Sequence, residues 1–487
     1  KYYPTAVLPS FGLMLVAVAL GVYVYKYNGS ISIGTPLALI AFGALIVWGV
    51  EQPLGTYNWF TSAETAAALE QGKAADPAIG PAFAAPYGSV AAKNYLEATG
   101  NAAASENLVQ AERSAYYVWV AVLLAYGFIA SVLPVWLLLQ PRDYINSFQL
   151  YAALSMLLVG LLVAAATGSA FATIHAPAFR PSPTGGLPLM PFITVTIACG
   201  AVSGFHSLVA SGTTVRQLNS EQDALPIGYG GMLVEGALAV LVVLACTAGL
   251  GAVAWAPNGL YSDWSKVSGL AAGLSTVCEG GANFLSFVGM PIAYGRAFIA
   301  VTVVAFALTT LDSATRLLRF NVEEIFKSIG LERFADRYTA SFIAVLGIAV
   351  IALVPAGRTL WTMFGSVNQL LAALALTTVT VFLYQLNRPI IYTIVPAVLM
   401  LASTTWAMTI DLAKYWKNAF APELGSTERN AAMLLGTLTA VLLCMTVWML
   451  IEAALAFSRG PRGPEALAEK SPEPTPSGEP VVSPHVG

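Results

Sequence analysis

The chain has 487 residues, of which 57% are hydrophobic and only 10% charged, and its formal net charge is −3. Soluble domains carry roughly a quarter charged residues, so a water-soluble fold has too little polar surface for this composition, whereas a bilayer accepts it. The balance of charge leaves no basic footprint for nucleic acid. The four cysteines, Cys199, Cys246, Cys278 and Cys444, are far apart and form no CxxC pair. No metal site, redox pair or cofactor is therefore expected.

Eleven apolar segments reach or approach the length of a membrane span, at residues 7–25, 31–50, 115–139, 150–170, 188–210, 228–255, 291–318, 338–354, 360–384, 389–410 and 431–457. A helix needs about 20 residues to cross. In lipid, backbone polar groups must be satisfied within the segment or in a closed barrel, and these runs are too long and too uniformly apolar for barrel strands. The expected fold class is all-α, a polytopic transmembrane helical bundle of about 11 spans occupying residues 1–457. Between the spans, residues 55–113 are polar and alanine-rich, and residues 257–290 read as a loop carrying Trp264, Asp263 and Glu279. The proline-rich tail, 458–487, cannot build a core and reads as disordered. If the basic stretch 319–337 faces the cytoplasm, alternation places 55–113 and 257–290 outside, and the tail with Arg142, Arg216 and Arg388 inside.

Polar residues inside apolar segments are costly and mark candidate sites. The first stretch, residues 200–214, breaks a helix with Gly200, Gly204 and Gly212, the hydroxyls of Ser203, Ser207, Ser211, Thr213 and Thr214, and His206. Discontinuous helices expose helix-end dipoles and freed carbonyls at transporter sites; the competing reading is a close helix-packing face with His206 as an interhelical hydrogen bonder. In the second, 228–236, Glu235 is a carboxylate that needs a partner or a proton. In the third, Thr309, Thr310, Asp312 and Ser313 precede Arg316, and either bind a small cation or a proton, or leave Asp312 and Arg316 as an i,i+4 ion pair. His206, Glu235 and Asp312 lie about four to seven residues from the cytoplasmic ends of their segments, roughly 6–10 Å deep. They are expected to line one polar cavity with Ser207, Thr213 and Thr309, with Glu235 as the candidate for the coupling proton. The run Pro141, Arg142, Asp143, Tyr144 reads as an anchor at a segment end, and Asn368 with Gln369 as interhelical glue.

At these motifs the sequence resembles the carbon starvation CstA family of bacterial transporters. The stretches that carry the resemblance are PVWLLLQPRDY (134–144), ITVTIACGAVSGFHSLVASGTT (193–214), IGYGGMLVEG (227–236), LTTLDSATRLLRF (308–320) and MFGSVNQLLAALAL (363–376), in the family's order over roughly residues 115–385. The resemblance implies a secondary active transporter of the bacterial inner membrane, embedded in lipid, that takes up peptides or pyruvate under carbon limitation with a proton or sodium ion. It also implies part of the inverted-repeat fold of amino acid–polyamine–organocation transporters. The substrate would then meet Gly204, Phe205, His206, Ser207, Ser211, Gly212, Thr213 and Thr214, and Glu235, Thr309, Thr310, Asp312 and Ser313 would serve coupling. Members of the family carry about four further apolar segments ahead of the point where Lys1 stands, so an N-terminally truncated chain with a groove open on one side is expected. Two other classes compete. A haem enzyme needs histidines on facing helices, and only His206 lies clearly inside a segment. A transporter-like sensor without flux shares every motif.

Overall fold

The computed structural model describes residues 3–75, 92–93, 95–180, 186, 189–257, 259, 261, 263–264, 270–353 and 355–461. Among these residues every regular element is helical. Ten of the described helices are long and apolar enough to cross a membrane, and the 17-residue Arg337–Leu353 is a shorter apolar helix. The protein is a multi-pass membrane protein, and each of the eleven expected segments coincides with one of these helices. The chain divides into two compact units, Lys1–Leu189 with Leu208–Arg358, and Met190–Ser207 with Thr359–Gly487.

The first unit begins with the hairpin of α1 (Pro4–Gly21, drawn out by a π-turn to Lys26) and α2 (Ile31–Glu51). Gly49 lets the two backbones approach, since a Cβ there would stand 2.5 Å from the Thr5 carbonyl oxygen. The short α3 (Ala63–Ala75) lies against the first turns of α4 (Ala102–Val132), where Leu69, Leu96 and Leu108 form a small cluster of their own. Helix α4 starts well before its apolar run because Asn101 caps it, accepting from the Ala104 N–H at 3.1 Å, and because alanines and glutamates favour helix. Helix α5 spans Leu139–Ala166. The broken stretch that follows contains α6 (Thr194–Ala201) and α7 (Gly204–Val209) and ends in a π-turn at Thr214; of it, the part up to Ser207 belongs to the second unit and the part from Leu208 to the first. Next comes α8, Gly231–Thr247.

The segment 257–290 is not a loop throughout, because Leu270–Ser286 forms helix α9. Leu274, Val277, Cys278, Gly281, Phe284 and Leu285 recur at helical spacing, an amphipathic pattern too short to stand out as a span. Cys278, Phe284 and Leu285 are wholly buried in the main core. Helix α9 approaches α8 and the turn after it backbone to backbone: a Cβ on Gly280 would overlap the Ala245 carbonyl, and Asn283 Nδ2 donates to the Gly249 carbonyl at 2.8 Å.

Helix α10 (Ile292–Ser328) runs through the middle of this unit and touches α1, α2, α4, α5, α9 and α11 (Arg337–Leu353). Its 37 residues extend about 55 Å at about 1.5 Å per residue, well beyond a hydrocarbon core of about 30 Å. Its far end fastens to α4. Pro134 forces Leu133 into extended geometry (φ −66°, ψ 147°) and ends α4 there, freeing its last carbonyls. Arg316 Nη2 donates to the Ala130 and Leu133 carbonyls at 2.9 and 2.8 Å, Arg319 Nη1 to Ser131 O at 2.9 Å, and Arg337 Nη1 to Val132 O at 3.5 Å. Cations there also complement the negative end of the helix dipole.

In the second unit, α12 (Pro355–Gln385), α13 (Ile391–Ala419) and α14 (Ser426–Ser458) accompany α6. Helix α13 packs on both α14 and α6. Met363, Tyr415 and Leu435 form one small core, and Ala198, Ala373 and Met400 another. Residues 462–487, most of the tail read as disordered, lie outside the described residues, as do 76–91 and 94 within 55–113.

Candidate functional site

Two polar constructions interrupt the apolar helices, one in each unit. In the first, Arg142 in the opening turn of α5 and Asp312 on α10 form an ion pair at 2.5 Å, with side chains 1% and 0% exposed. Tyr126 of α4 completes it. Its hydroxyl donates to Asp312 Oδ2 at 2.8 Å and accepts from Arg142 Nη1 at 2.6 Å. Two more rungs follow along the antiparallel α5–α10 seam. Asn146 Nδ2 donates to Thr309 Oγ1 at 3.3 Å, and Gln149 Nε2 to Thr302 Oγ1 at 2.8 Å. Positions 142, 146 and 149 share one face of α5, and 302, 309 and 312 one face of α10, because residues three, four and seven apart stack along a helix. Three helices are thus tied together by groups that lipid would penalise heavily if they were unpaired.

In the second unit the broken helix takes its supports from α12. Helix α6 stops at Ala201, Val202 has non-helical dihedrals (φ −142°, ψ 86°), and α7 begins at Gly204. Asn368 Oδ1 accepts from the Phe205 N–H at 2.8 Å, and its Nδ2 donates to Ser203 Oγ at 3.0 Å and Cys199 Sγ at 3.3 Å. Gln369, with its amide turned so that both atoms find partners, donates to Val202 O and accepts from Cys199 N at 2.7 Å each. Both amides are buried, at 6% and 0% exposure. They serve the backbone groups that the break would otherwise leave bare in an apolar medium. Gly204 is required by the same contact, since a Cβ there would overlap the Asn368 carbonyl and stand 2.6 Å from Leu371 Cβ.

A family model described as "Carbon starvation protein CstA" matches residues 82–253 and 257–407. The chain belongs to the CstA carbon starvation family. It is 33% identical over 359 residues to "Peptide transporter CstA" of Escherichia coli (strain K12), covering 62% of this chain and 49% of that protein. It is 29% identical over 385 residues to "Peptide transporter CstA" of Bacillus subtilis (strain 168), covering 72% and 62%. A third relative, "Pyruvate/proton symporter BtsT" of Escherichia coli (strain K12), is 32% identical over 373 residues, covering 60% and 50%. The chain spans about half the length of most of the curated relatives it matches. These relatives are named as transporters, not enzymes. No solved structure matches the chain.

All the polar groups of both constructions lie within the segments matched by the CstA family model. Of the residues singled out by sequence, Asp312 and Thr309 sit in the α5–α10 seam; Ser313 is half-buried and Thr310 is exposed. Glu235 and His206 are exposed on their helices, and among the described residues Glu235 makes no hydrogen bond or ion pair. The structure does not bring Glu235 into bonding contact with Asp312, and His206 belongs to the other unit. Along the broken helix, Ser207 Oγ donates to Gly204 O at 2.7 Å and Thr213 Oγ1 to Val209 O at 2.9 Å. Ser211 Oγ reaches Leu208 O at 3.4 Å, and Gly212 faces Leu317 of α10. The i,i+4 pairing of Asp312 with Arg316 does not form, because Arg316 is engaged with the α4 carbonyls. Sequence reasoning missed Tyr126 and gave Arg142 only an anchoring role; an arginine beside a segment boundary shows its charge but not its partner. Among the described residues no group of three or more His, Cys, Asp or Glu side chains could hold a metal ion.

Proposed function

We propose that the chain belongs to a secondary active transporter that takes up small nutrients, peptides or pyruvate, across the bacterial inner membrane under carbon limitation, driven by protons. The observation that carries this reading is the broken helix at residues 202–203, whose backbone groups are held by the buried amides of Asn368 and Gln369. A break so supported is a costly feature for a purely structural helix, and interrupted helices of this kind form substrate sites in transporters. The names of the relatives, a peptide transporter and a pyruvate/proton symporter, support the cargo and the ion. On this reading the stretch from Gly204 to Thr214 meets the cargo, and Glu235 with Thr309, Thr310, Asp312 and Ser313 serves coupling.

The test is uptake of labelled pyruvate and of a labelled dipeptide into proteoliposomes, with and without an inward proton gradient. Accumulation should require the gradient. Glu235→Gln should abolish gradient-driven accumulation while sparing exchange of cargo across the membrane, since a glutamine cannot carry the proton. Unchanged accumulation in that variant removes Glu235 from the mechanism. Saturable binding without any uptake would favour a sensor.

A further inference from the structure

The guanidinium of Arg142 is hydrogen-bonded along one edge only, and its other edge has no closer charge than a loose ion pair from Nη2 to Asp143. Nη1 donates to the Tyr126 hydroxyl and pairs with Asp312 Oδ2. On the opposite edge neither Nε nor Nη2 has a hydrogen-bond partner, although the side chain is 1% exposed. Asp143 Oδ1 stands 3.7 Å from Nη2, too far for a hydrogen bond. Nε–H and Nη2–H point the same way from a rigid plane and match the two oxygens of a carboxylate. Buried donors on a charged group are rarely left idle in a native structure, and each one calls for an explanation.

The surroundings suit an anion. Arg142 lies in the first turn of α5, where the helix dipole favours negative charge. Arg316 is one turn from Asp312 on α10 and adds a second positive charge to the neighbourhood. Asp143, whose side chain is 47% exposed, holds Nη2 only at ion-pair distance, and an incoming carboxylate must displace it. One turn along α5, Asn146 Oδ1 is also buried without a partner while Nδ2 serves Thr309. Whichever way that amide is turned, one of its polar atoms remains for a ligand.

We propose that the Nε–Nη2 edge of Arg142 is a carboxylate-binding site, with Tyr126 and Asp312 as the residues that position it. It takes the group that pyruvate and the C-terminus of a peptide have in common. The proposal rests on the transport reading above and deepens it by naming what the cargo must carry; it makes no use of the stretch 204–214. Because the edge is buried, cargo reaches it only when α5 and α10 part, a movement that alternating access supplies.

The experiment measures equilibrium binding of labelled pyruvate, of a dipeptide and of the same dipeptide as its C-terminal amide to the purified protein, alongside uptake. Arg142→Lys keeps the charge beside Asp312 but loses the planar fork. It should weaken binding of pyruvate and of the free dipeptide by about tenfold or more, and leave any binding of the amide unchanged. Tyr126→Phe, which removes only the hydroxyl that positions Nη1, should weaken the same two ligands several-fold and decides the matter if Arg142→Lys does not fold. Unchanged affinity for pyruvate in a folded variant of either kind overturns the proposal, as does a wild-type protein that binds neither carboxylate. A wild-type protein that accumulates cargo while Arg142→Lys keeps its KM overturns the site and leaves the transport reading standing. Carboxylate binding lost in Arg142→Lys, with no uptake by the wild type, supports the site and removes the transport reading.

Discussion

Asp312 and Arg142 neutralise each other where neither could stand alone. Removing one partner of a buried pair costs about 3–5 kcal/mol, whereas replacing both with apolar groups of similar size is often neutral. Asp312→Ala should therefore lower stability by about that amount, and the double variant Asp312→Leu with Arg142→Met should recover most of it. Thermal melts in detergent on the single and double variants check this, and equal losses in both would show that the pair is not what holds the seam. Gly204→Ala should cost about 1–3 kcal/mol, because the added methyl meets the Asn368 carbonyl and Leu371. At this scale the sequence showed which residues were out of place in lipid but not what each one faced. Asp312 and Arg316 are four apart and could have bonded within the helix. The deciding fact lies elsewhere in the chain, at Pro134, which frees carbonyls that take Arg316 away.

Among the elements, the broken helix depends on side chains of α12. Asn368→Ala removes the acceptor for the Phe205 N–H and the donor to Ser203 and Cys199. Faster hydrogen exchange at the amide of Phe205, with α13 and α14 unaffected, is the expected result. The start of α11 offers a pH-dependent counterpart outside the spans. The Thr339 hydroxyl and N–H, followed by the Tyr338 N–H, hold the Asp336 carboxyl below its usual range. A depressed value means that the cap contributes fully above the unfolded carboxylate's pKa of about 3.9 and is lost as pH falls through the folded value. Exchange at Tyr338 and Thr339 should accelerate only on that acidification. The glycine and hydroxyl density of 200–214 announced the break, since no straight apolar helix needs it. Helix α9 went unrecognised because its apolar stripe is interrupted by Ser275, Glu279 and Asn283 and is too short to read as a span.

At the scale of the molecule, apolar length alone located the eleven crossing or near-crossing helices found among the described residues, since lipid leaves the backbone few other choices. Sidedness is a further matter. Single cysteines placed in 55–75 should react with an impermeant reagent applied to whole cells, and cysteines in 329–336 should not. Labelling of the second set alone would invert the orientation. The pairing of helices was far less legible. Segments that are equally apolar on every side give no periodic signal of which face meets protein and which meets lipid, so the seam of α4, α5 and α10 emerges only in three dimensions.

The amide support of the broken helix has a consequence for biosynthesis. Ser203 and Asn368 are 165 positions apart. At a synthesis rate of about 5–20 residues per second, the helix that serves the break leaves the ribosome roughly ten to thirty seconds after the break itself. Through that interval the nascent segment has no native partner for the Phe205 N–H or the Val202 carbonyl. It must wait where water can serve those groups until α12 arrives. Ribosome-stalled chains that end before residue 355 should therefore expose a cysteine at position 203 to water-soluble reagents, and chains stalled beyond α12 should protect it.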